Sequence, residues 1–536
     1  MNSEFRSGPG RLRQFIIQHS EFIIVSLLTG LCLWLGTANS TLDAWYYAAC
    51  ARHGHELLLP HHLLYNAVGW LWAEAWARFW WSFDSPLWAW DALFALKRLN
   101  ALAAGASLLV LRQLLRLVLP AGKNVWPWLL LAGASFGVLR FATENEAYIQ
   151  PVLLSLLGSL AWARYQLEGQ KARHLVWAGC WAALACLFHQ IHFCWWLGLL
   201  LSTGWYAGGH KLRALLLYSL PALLVPAAYV AALPYWHQPL TLPALWRFVF
   251  HDYYAGTATG SVSGHGMLLS VVNLGRTFVQ VHGSTLALLR LYPGLWLVVV
   301  AFLGLLAYAG GLVGQGWRQR SAPATQPVRG AVPVVRAHLL ILGLQLLFAV
   351  YSEGNAEFMV MVPALLTVVA GAGLPWLPAR AVATLGLALL GWNLAFGLVP
   401  SHYLRFTNTG IQPNSPLLRQ ILLEPNSWFL LDNHNLTLNQ LHYRTGRAAG
   451  APNVLPAPTL LVQRPGQSPA RLRQWLRAQL QTGHRVFTTG LGGPQLLDRA
   501  QLVYGNQNAE LLRGFRTEKV DSFPTAFGPY YLTEIR

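Results

Sequence analysis

Apolar runs of eighteen or more residues recur along this chain, and each is about the length a helix needs to cross the hydrocarbon of a bilayer. That repetition constrains the fold more than any motif does. It predicts a mainly α, polytopic membrane protein. Composition agrees, since 54% of the 536 residues are hydrophobic and only 11% are charged, against about a quarter charged in an ordinary soluble chain. The 25 Trp and 19 Tyr suit rings that settle at lipid–water boundaries.

Charge orders the runs. Spans are expected at about 20–37, 98–119, 127–143, 147–164, 174–190, 191–208, 212–233, 284–306, 337–352, 358–374 and 381–399, roughly eleven in all. The segments then falling on one side carry Lys123; Arg164, Lys171 and Arg173; Lys211 and Arg213; Arg318, Arg320, Arg329 and Arg336; and Arg380. The short turns on the other side carry Glu144 and Glu146, and Glu353 and Glu357, with no Lys or Arg. The positive-inside rule therefore predicts a multi-pass protein of the cell membrane, with a cytoplasmic N-terminus and an extracytoplasmic C-terminus. The same rule explains the net charge of +18 without nucleic acid as a partner. The first run, entered past Arg6, Arg11 and Arg13 and followed by no small-x-small cleavage site, is expected to be a retained helix. Cysteine implies no disulfide framework: Cys32, Cys180, Cys186 and Cys194 lie in apolar segments, and Cys50 is alone in a loop.

Three stretches lie outside this pattern. Residues 38–97 form a first long outer segment, in which LLYNAVGWLWAEAWARFWW (63–81) is broken by Glu74 and Arg78 and suits interfacial helices better than a span. Residues 234–283 form a second outer loop with a Gly/Ser/Thr-rich centre expected to be flexible, and 317–336 is a Pro- and Arg-containing linker, also expected to be mobile. Past residue 400 the pattern turns α/β: strands at 427–431, 485–489 and near 530–535, and a helix over 469–482 capped by Ser468 and stopped at Gly483. The expected division is thus 1–400 in the membrane and 401–536 as a small extracytoplasmic α/β domain. GLGG (490–493) sits between strand and helix there, without the full spacing of a phosphate loop.

Chemistry is expected on the outer side. Thr41–Tyr65 (TLDAWYYAACARHGHELLLPHHLLY) places one acid, Asp43, just past the first span, where a carboxylate is costly unless used or paired. Glu144, Glu146, Asp252, Glu353 and Glu357 gather on the same side, with Lys97, Arg98, Arg140, Arg247, Arg276 and Arg290 as cations. His189 and His192 flank one outer turn, and a packed, hydrogen-bonded histidine accounts for them better than a ligand role does. Glu353 and Glu357 would share a face if their turn were helical. Such a set suits transfer between a phosphate-linked group and a hydroxyl, one carboxylate taking the proton and an Arg or Lys holding the leaving phosphate. No His/Cys spacing argues for zinc, so no cofactor is assigned, and a divalent cation stays open.

The order of TLDAWYY (41–47), LPHHLLYNAVGWLW (59–72), ALKRLNALAAGASLL (95–109) and RFATENEAYIQPVLL (140–154) resembles the multi-spanning GT-C glycosyltransferases. It is most similar to their protein O-mannosyltransferase and lipid A aminoarabinose transferase branch, over about the first 200 residues. The resemblance implies Asp43 as the base and Arg98 at the start of the second span. It also implies an inverting transfer of a sugar from a polyprenyl-phosphate carrier to an acceptor hydroxyl at the extracytoplasmic face. His61, His62, Tyr65, Arg98, Arg140, Glu144, Glu146, His189, Arg276, Glu353 and Glu357 are then the candidate substrate-binding set, with Arg98, Arg140 and Arg276 ranked in that order for the phosphate. The chain departs from the family in having Asp43-Ala44 where Asp-Glu is common. It also has Pro60-His61-His62-Leu63-Leu64-Tyr65 in place of Lys-Pro-Pro-Leu-Tyr, which leaves the phosphate contact open unless His61 or His62 replaces the missing Lys. The rival readings are a transporter or flippase of lipid-linked sugars, and a non-catalytic anchor for the C-terminal domain.

Overall fold

The computed structural model describes residues 9–81, 91–120, 122–255, 260–281, 284–319, 331–406, 416–447, 451–491 and 499–536. Asp84, most of the 317–336 linker, the centre of the 234–283 loop and half of GLGG lie outside them. Every apolar run named above is helical, but among the described residues six helices are long and apolar enough to cross a membrane by themselves: Ala92–Val118, Gly208–Tyr235, Leu295–Gln319, Ala331–Tyr351, Ala356–Gly373 and Ala379–Tyr403. His19–Trp34 and Ala172–Phe188 are shorter apolar helices.

In chain order the helices are α1 (Pro9–Trp34), α2 (Leu42–His53), α3 (Tyr65–Trp81), α4 (Ala92–Val118), α5 (Trp126–Gly133), α6 (Phe136–Ala142), α7 (Ile149–Leu167), α8 (Ala172–Phe188), α9 (Phe193–Tyr206), α10 (Lys211–Ser219), α11 (Leu224–Tyr235), α12 (Leu242–Val249), α13 (His251–Tyr254), α14 (Gly264–Phe278), α15 (Ser284–Leu291), α16 (Leu295–Gln319), α17 (Ala331–Tyr351), α18 (Val362–Gly373), α19 (Ala379–Asn393) and α20 (Val399–Tyr403). Two expected spans are not continuous. The run at 127–143 breaks between α5 and α6, where the Ser135 hydroxyl turns back to the Leu131 carbonyl at 2.8 Å. The run at 284–306 breaks at Pro293 and Gly294, so its long helix starts at Leu295 and extends to Gln319.

The bundle core is one contiguous apolar cluster drawn mainly from α1, α4 to α10, α17 and α18, with Leu114, Leu115, Trp162, Trp195 and Ile341 among its buried members. A buried acid inside such a core needs partners. Glu21 of α1 has them: Arg112 Nε at 2.5 Å and Arg116 Nη2 at 2.8 Å, both on α4.

The C-terminal part adds α21 (Pro416–Leu423), α22 (His434–Thr445), α23 (Pro458–Val462), α24 (Pro469–Gln481) and α25 (Arg499–Leu511) around five strands: β1 (Trp428–Leu431), β2 (Val454–Pro456), β3 (Val486–Thr488), β4 (Thr517–Thr525) and β5 (Gly528–Ile535). Their order is β2-β1-β3-β5-β4, with β1 parallel to β2 and β3, and β5 antiparallel to β3 and β4. The Ser468 hydroxyl accepts from the Arg471 N–H at 3.2 Å and caps α24 as its sequence signature predicts. The chain leaving α20 toward this unit is tied to the bundle by Asn39, whose Nδ2 donates to the carbonyls of Ser401 (2.9 Å) and Leu404 (2.8 Å), and the unit itself by Asn439 Nδ2 of α22, which donates to the Leu42 carbonyl of α2 at 3.0 Å.

Candidate functional site

The first turn of α2 is built around Thr41. Its hydroxyl accepts from the Ala44 N–H at 3.1 Å, the usual way an orphan helix donor is met, and donates to Glu146 Oε1. Its own N–H donates to Glu144 Oε2 at 3.2 Å. The segment Thr143–Tyr148 therefore clamps the start of α2. Asn145 Nδ2 donates to the Ala44 carbonyl at 2.7 Å, and Tyr65 Oη donates to Asn145 Oδ1 at 2.7 Å. Asn100 Nδ2 holds the Glu144 and Glu146 carbonyls at 2.6 and 2.9 Å. Lys97, buried beside them, donates to the Thr37 carbonyl (2.8 Å) and Ser40 Oγ (2.6 Å) and lies 3.8 Å from Glu144 Oε1. Glu144, Glu146 and Tyr65 are thus braces behind the site and not walls of it. Burial, with Asp43 and Glu357 next, holds the Glu146 carboxyl well above the usual carboxylate range.

In front of this brace lies a cavity of about 1620 Å³. Asp43, Tyr46 and Tyr47 of α2 line it, together with His61, His62, Tyr148 and His189. Asp252, Glu353, Asn355 and Glu357 complete its polar part. Ala183 and Cys186 of α8, Phe193 and Trp196 of α9, and Ala222, Val225 and Pro226 give it an apolar part. The Asp43 carboxylate presents open surface, but that surface belongs to the cavity, so it faces confined space and two more acids. Burial first, then the charges of Glu357 and Asp252, push its pKa up from 3.8 to about 6.

The other acids are held in place. Tyr148 Oη donates to Glu357 Oε2 at 2.8 Å, and Arg140 Nη2 approaches Glu357 Oε1 at 4.0 Å. Asp252 Oδ2 meets His61 Nδ1 at 3.0 Å, while its Oδ1 meets His251 Nδ1 at 3.2 Å. Burial lowers the His61 pKa despite the nearby Asp252. Glu353 and Glu357 both reach the cavity without sharing a helix face. Glu353 has φ +56° and Gly354 φ +77°, which reverses the chain before the short turn Ala356–Met359. A Cβ at Gly354 would also lie 2.7 Å from the Ser270 nitrogen, so the reversal needs glycine.

The ranked cations fall elsewhere. The Arg98 guanidinium lies 3.9 Å over the Phe94 ring, Arg140 stands behind Glu357, and Arg276 Nη1 donates to Asn273 Oδ1 at 3.0 Å on its own helix. None of the three lines the cavity. Among the described residues Arg247 of α12 is the lysine or arginine that does. The sequence held a faint sign of this, the capped and Pro-started apolar helix TLPALWRFV (241–249), whose Thr41-like cap Thr241 accepts from the Ala244 N–H at 3.3 Å. His192 is away from the site, its Nδ1 hydrogen-bonded to Ser155 Oγ at 2.7 Å. Among the described residues no three His, Cys, Asp or Glu side chains are grouped so as to hold a metal ion.

No family model and no curated protein matches the chain. Among solved structures it is similar to ArnT from Cupriavidus metallidurans bound to undecaprenyl phosphate, at 10% identity and a TM-score of 0.49 over 96% of this chain and 97% of that one. It is also similar to the archaeal oligosaccharyltransferase AglB from Archaeoglobus fulgidus in complex with an inhibitory peptide and a dolichol-phosphate, at 12% identity and a TM-score of 0.44 over 96% of this chain and 74% of that one.

Proposed function

We propose that the chain is a glycosyltransferase that moves a sugar from a polyprenyl-phosphate carrier to an acceptor hydroxyl, in the cavity that Asp43 lines, at the extracytoplasmic face of the membrane. One observation carries this reading: a single cavity joins a carboxylate poised near neutrality and an arginine to a wall of lipid-like side chains. Asp43, with its pKa near 6, is ionised at pH 7 and basic enough to take a proton as a new bond forms. The acceptor O–H gives its proton to the Asp43 carboxylate while its oxygen attacks the anomeric carbon. The bond from that carbon to the phosphate oxygen breaks, and the phosphate leaves with the electron pair. Attack from the face opposite the leaving phosphate inverts the anomeric centre. Arg247 is the phosphate partner in this scheme, and the groove between α8, α9 and α11 takes the prenyl chain. The positive-inside pattern supports the sidedness, and the C-terminal unit at 401–536 is then an extracytoplasmic domain.

The test is transfer from a polyprenyl-phosphate sugar by the purified chain and by two variants. Asp43→Asn keeps the shape and removes the base, and loses about 10²- to 10⁴-fold in turnover. Arg247→Ala weakens binding of the carrier. Near-normal transfer by Asp43→Asn refutes the assignment of the base. Translocation of the lipid without any covalent transfer refutes the reading as an enzyme.

A further inference from the structure

The side-chain amide of Gln190, in the short turn between α8 and α9, reaches three neighbours from three separate parts of the chain. Its Nε2 lies 3.0 Å from the Val249 carbonyl, 2.9 Å from Tyr229 Oη and 3.2 Å from the Pro60 carbonyl. The Tyr229 hydroxyl is itself 2.5 Å from the Pro60 carbonyl. Two carbonyls on one side require the nitrogen of the amide there, not its oxygen. The amide has two hydrogens, and one arrangement uses each donor once: Gln190 donates to Val249 and Tyr229, and Tyr229 donates to Pro60. The backbone continues the join, since the Gln190 N–H donates to the His61 carbonyl at 3.3 Å and the Leu64 N–H to the Leu187 carbonyl at 3.0 Å.

What hangs from this join is α12. It is 8 residues long, too short for a helix to persist on its own propensity, so packing must hold it. Leu242 and Trp246 turn away, 81% and 59% exposed, while Phe248 is buried against Tyr229 with ring centroids 6.1 Å apart. The Val249 carbonyl, at the end of the helix, has no partner within it, and Gln190 supplies one. Arg247 lies in the same last turn, one residue before Phe248 and two before Val249. Gln190, Pro60, Tyr229, Arg247 and Val249 all line the one cavity.

We infer that Gln190 is a positioning residue: by holding the end of α12 against Tyr229 and Pro60, it fixes where the Arg247 guanidinium stands in the cavity. This rests on the proposed function, which gives Arg247 the carrier phosphate. An amide suits the task because it donates twice and carries no charge, so it neither pairs with the guanidinium nor repels it. With the tie cut, the last turn of α12 frays and the cation spends less of its time within reach of the phosphate. Asp43 sits on α2 behind its own braces, in the grip of Thr41 and Asn145, and is untouched. The loss therefore falls on carrier binding and not on the proton transfer.

The test is a double-mutant cycle of Gln190→Met and Arg247→Ala in the full-length protein in nanodiscs. It reads affinity for undecaprenyl phosphate by tryptophan fluorescence, and initial rates of transfer from a polyprenyl-phosphate sugar. Met matches Gln in length and lacks its donors. Gln190→Met alone weakens binding of the lipid roughly three- to tenfold and raises KM for the carrier by a similar factor, with kcat within about twofold of the wild type. In the Arg247→Ala background the same change costs less than about twofold, because the cation it positions is gone. Gln190→Asn, whose amide stops one carbon short of Val249, gives the same pattern, and the cycle is read from it if the Met variant does not fold. The inference falls if the Gln190 variants bind the lipid as the wild type does, if their loss is as large without Arg247 as with it, or if kcat falls while KM holds. Arg247→Ala binding undecaprenyl phosphate as tightly as the wild type removes the phosphate assignment in the proposed function, and this inference with it, and leaves Asp43 to be judged by its own variant.

Discussion

Acidification is the perturbation that separates Asp43 from an ordinary surface acid. With a pKa of about 6, its carboxylate is about nine-tenths ionised at pH 7 and about one-tenth at pH 5, whereas a carboxyl at 3.8 stays more than about nine-tenths ionised at both. If the ionised form is the base, kcat/KM for sugar transfer falls roughly ninefold between pH 7 and pH 5. Below pH 6 the limb has a slope of one, and above pH 7 it is flat. The cause is testable in the same assay. Glu357→Gln removes the charge that, after burial, does most to hold the pKa up and moves the midpoint of the limb down. Burial is the larger cause, so the midpoint stays above 3.8. The assay is initial-rate transfer from a polyprenyl-phosphate sugar in detergent across pH 4.5 to 8, with thermal unfolding at each pH to confirm that the fold persists. A flat profile from pH 7 to 5 in a protein that remains folded refutes the argument, since it leaves no group of pKa near 6 in the rate.

Stability gives the complementary sign. A carboxyl whose pKa is raised by folding costs stability once it ionises, so the cost is absent below about pH 4 and complete above about pH 7. Asp43→Asn therefore unfolds at a temperature equal to or above the wild type at pH 8, and the difference shrinks at pH 5. Lys97→Met leaves the buried Glu144 carboxylate without its cation and costs about 3–5 kcal/mol; the double variant with Glu144→Gln recovers part of that loss in apparent Tm. Asn439→Ala removes the hydrogen bond to the Leu42 carbonyl and lowers stability by about 1 kcal/mol, with a fall in kcat and little change in KM as the sign that α2 has loosened.

Much of this architecture was legible because it follows from the cost of exposing apolar surface to water. The strand around Phe429–Leu431, the strand around Phe487, and the capped helix at 469–481 each carried a local signature, and each formed. β2 and β4 were missed, because Val454–Pro456 is three residues long and Thr517–Thr525 is largely exposed, so neither shows a buried run. Continuity of spans was overread. The breaks at Ser135 and Pro293 depend on hydrogen bonds and a missing donor that hydropathy averages away. In the site, Asp43 was found because a lone acid after a span stands out. The division between cavity wall and brace was not legible. Glu144 and Glu357 look alike in their turns, and only the packing of Lys97 on one and Tyr148 on the other separates them. Arg247 was named among the outer cations but not ranked for the phosphate, because it sits in a 50-residue loop with no spacing to mark it.

The clasp between α22 and α2 changes what a truncation reports. His53 Nε2 is 2.9 Å from the Tyr443 carbonyl oxygen, the Tyr443 ring meets Trp45 edge-on at 5.2 Å, and His53, His55 and His442 stack in near-parallel planes. Cutting the chain near residue 405 thus strips one flank from the helix that bears Asp43 and wets a row of imidazoles that were packed face to face. A dead truncated protein would point to a collapsed buttress as readily as to a lost ligand, whereas single changes at Asn439 or Tyr443 separate the two.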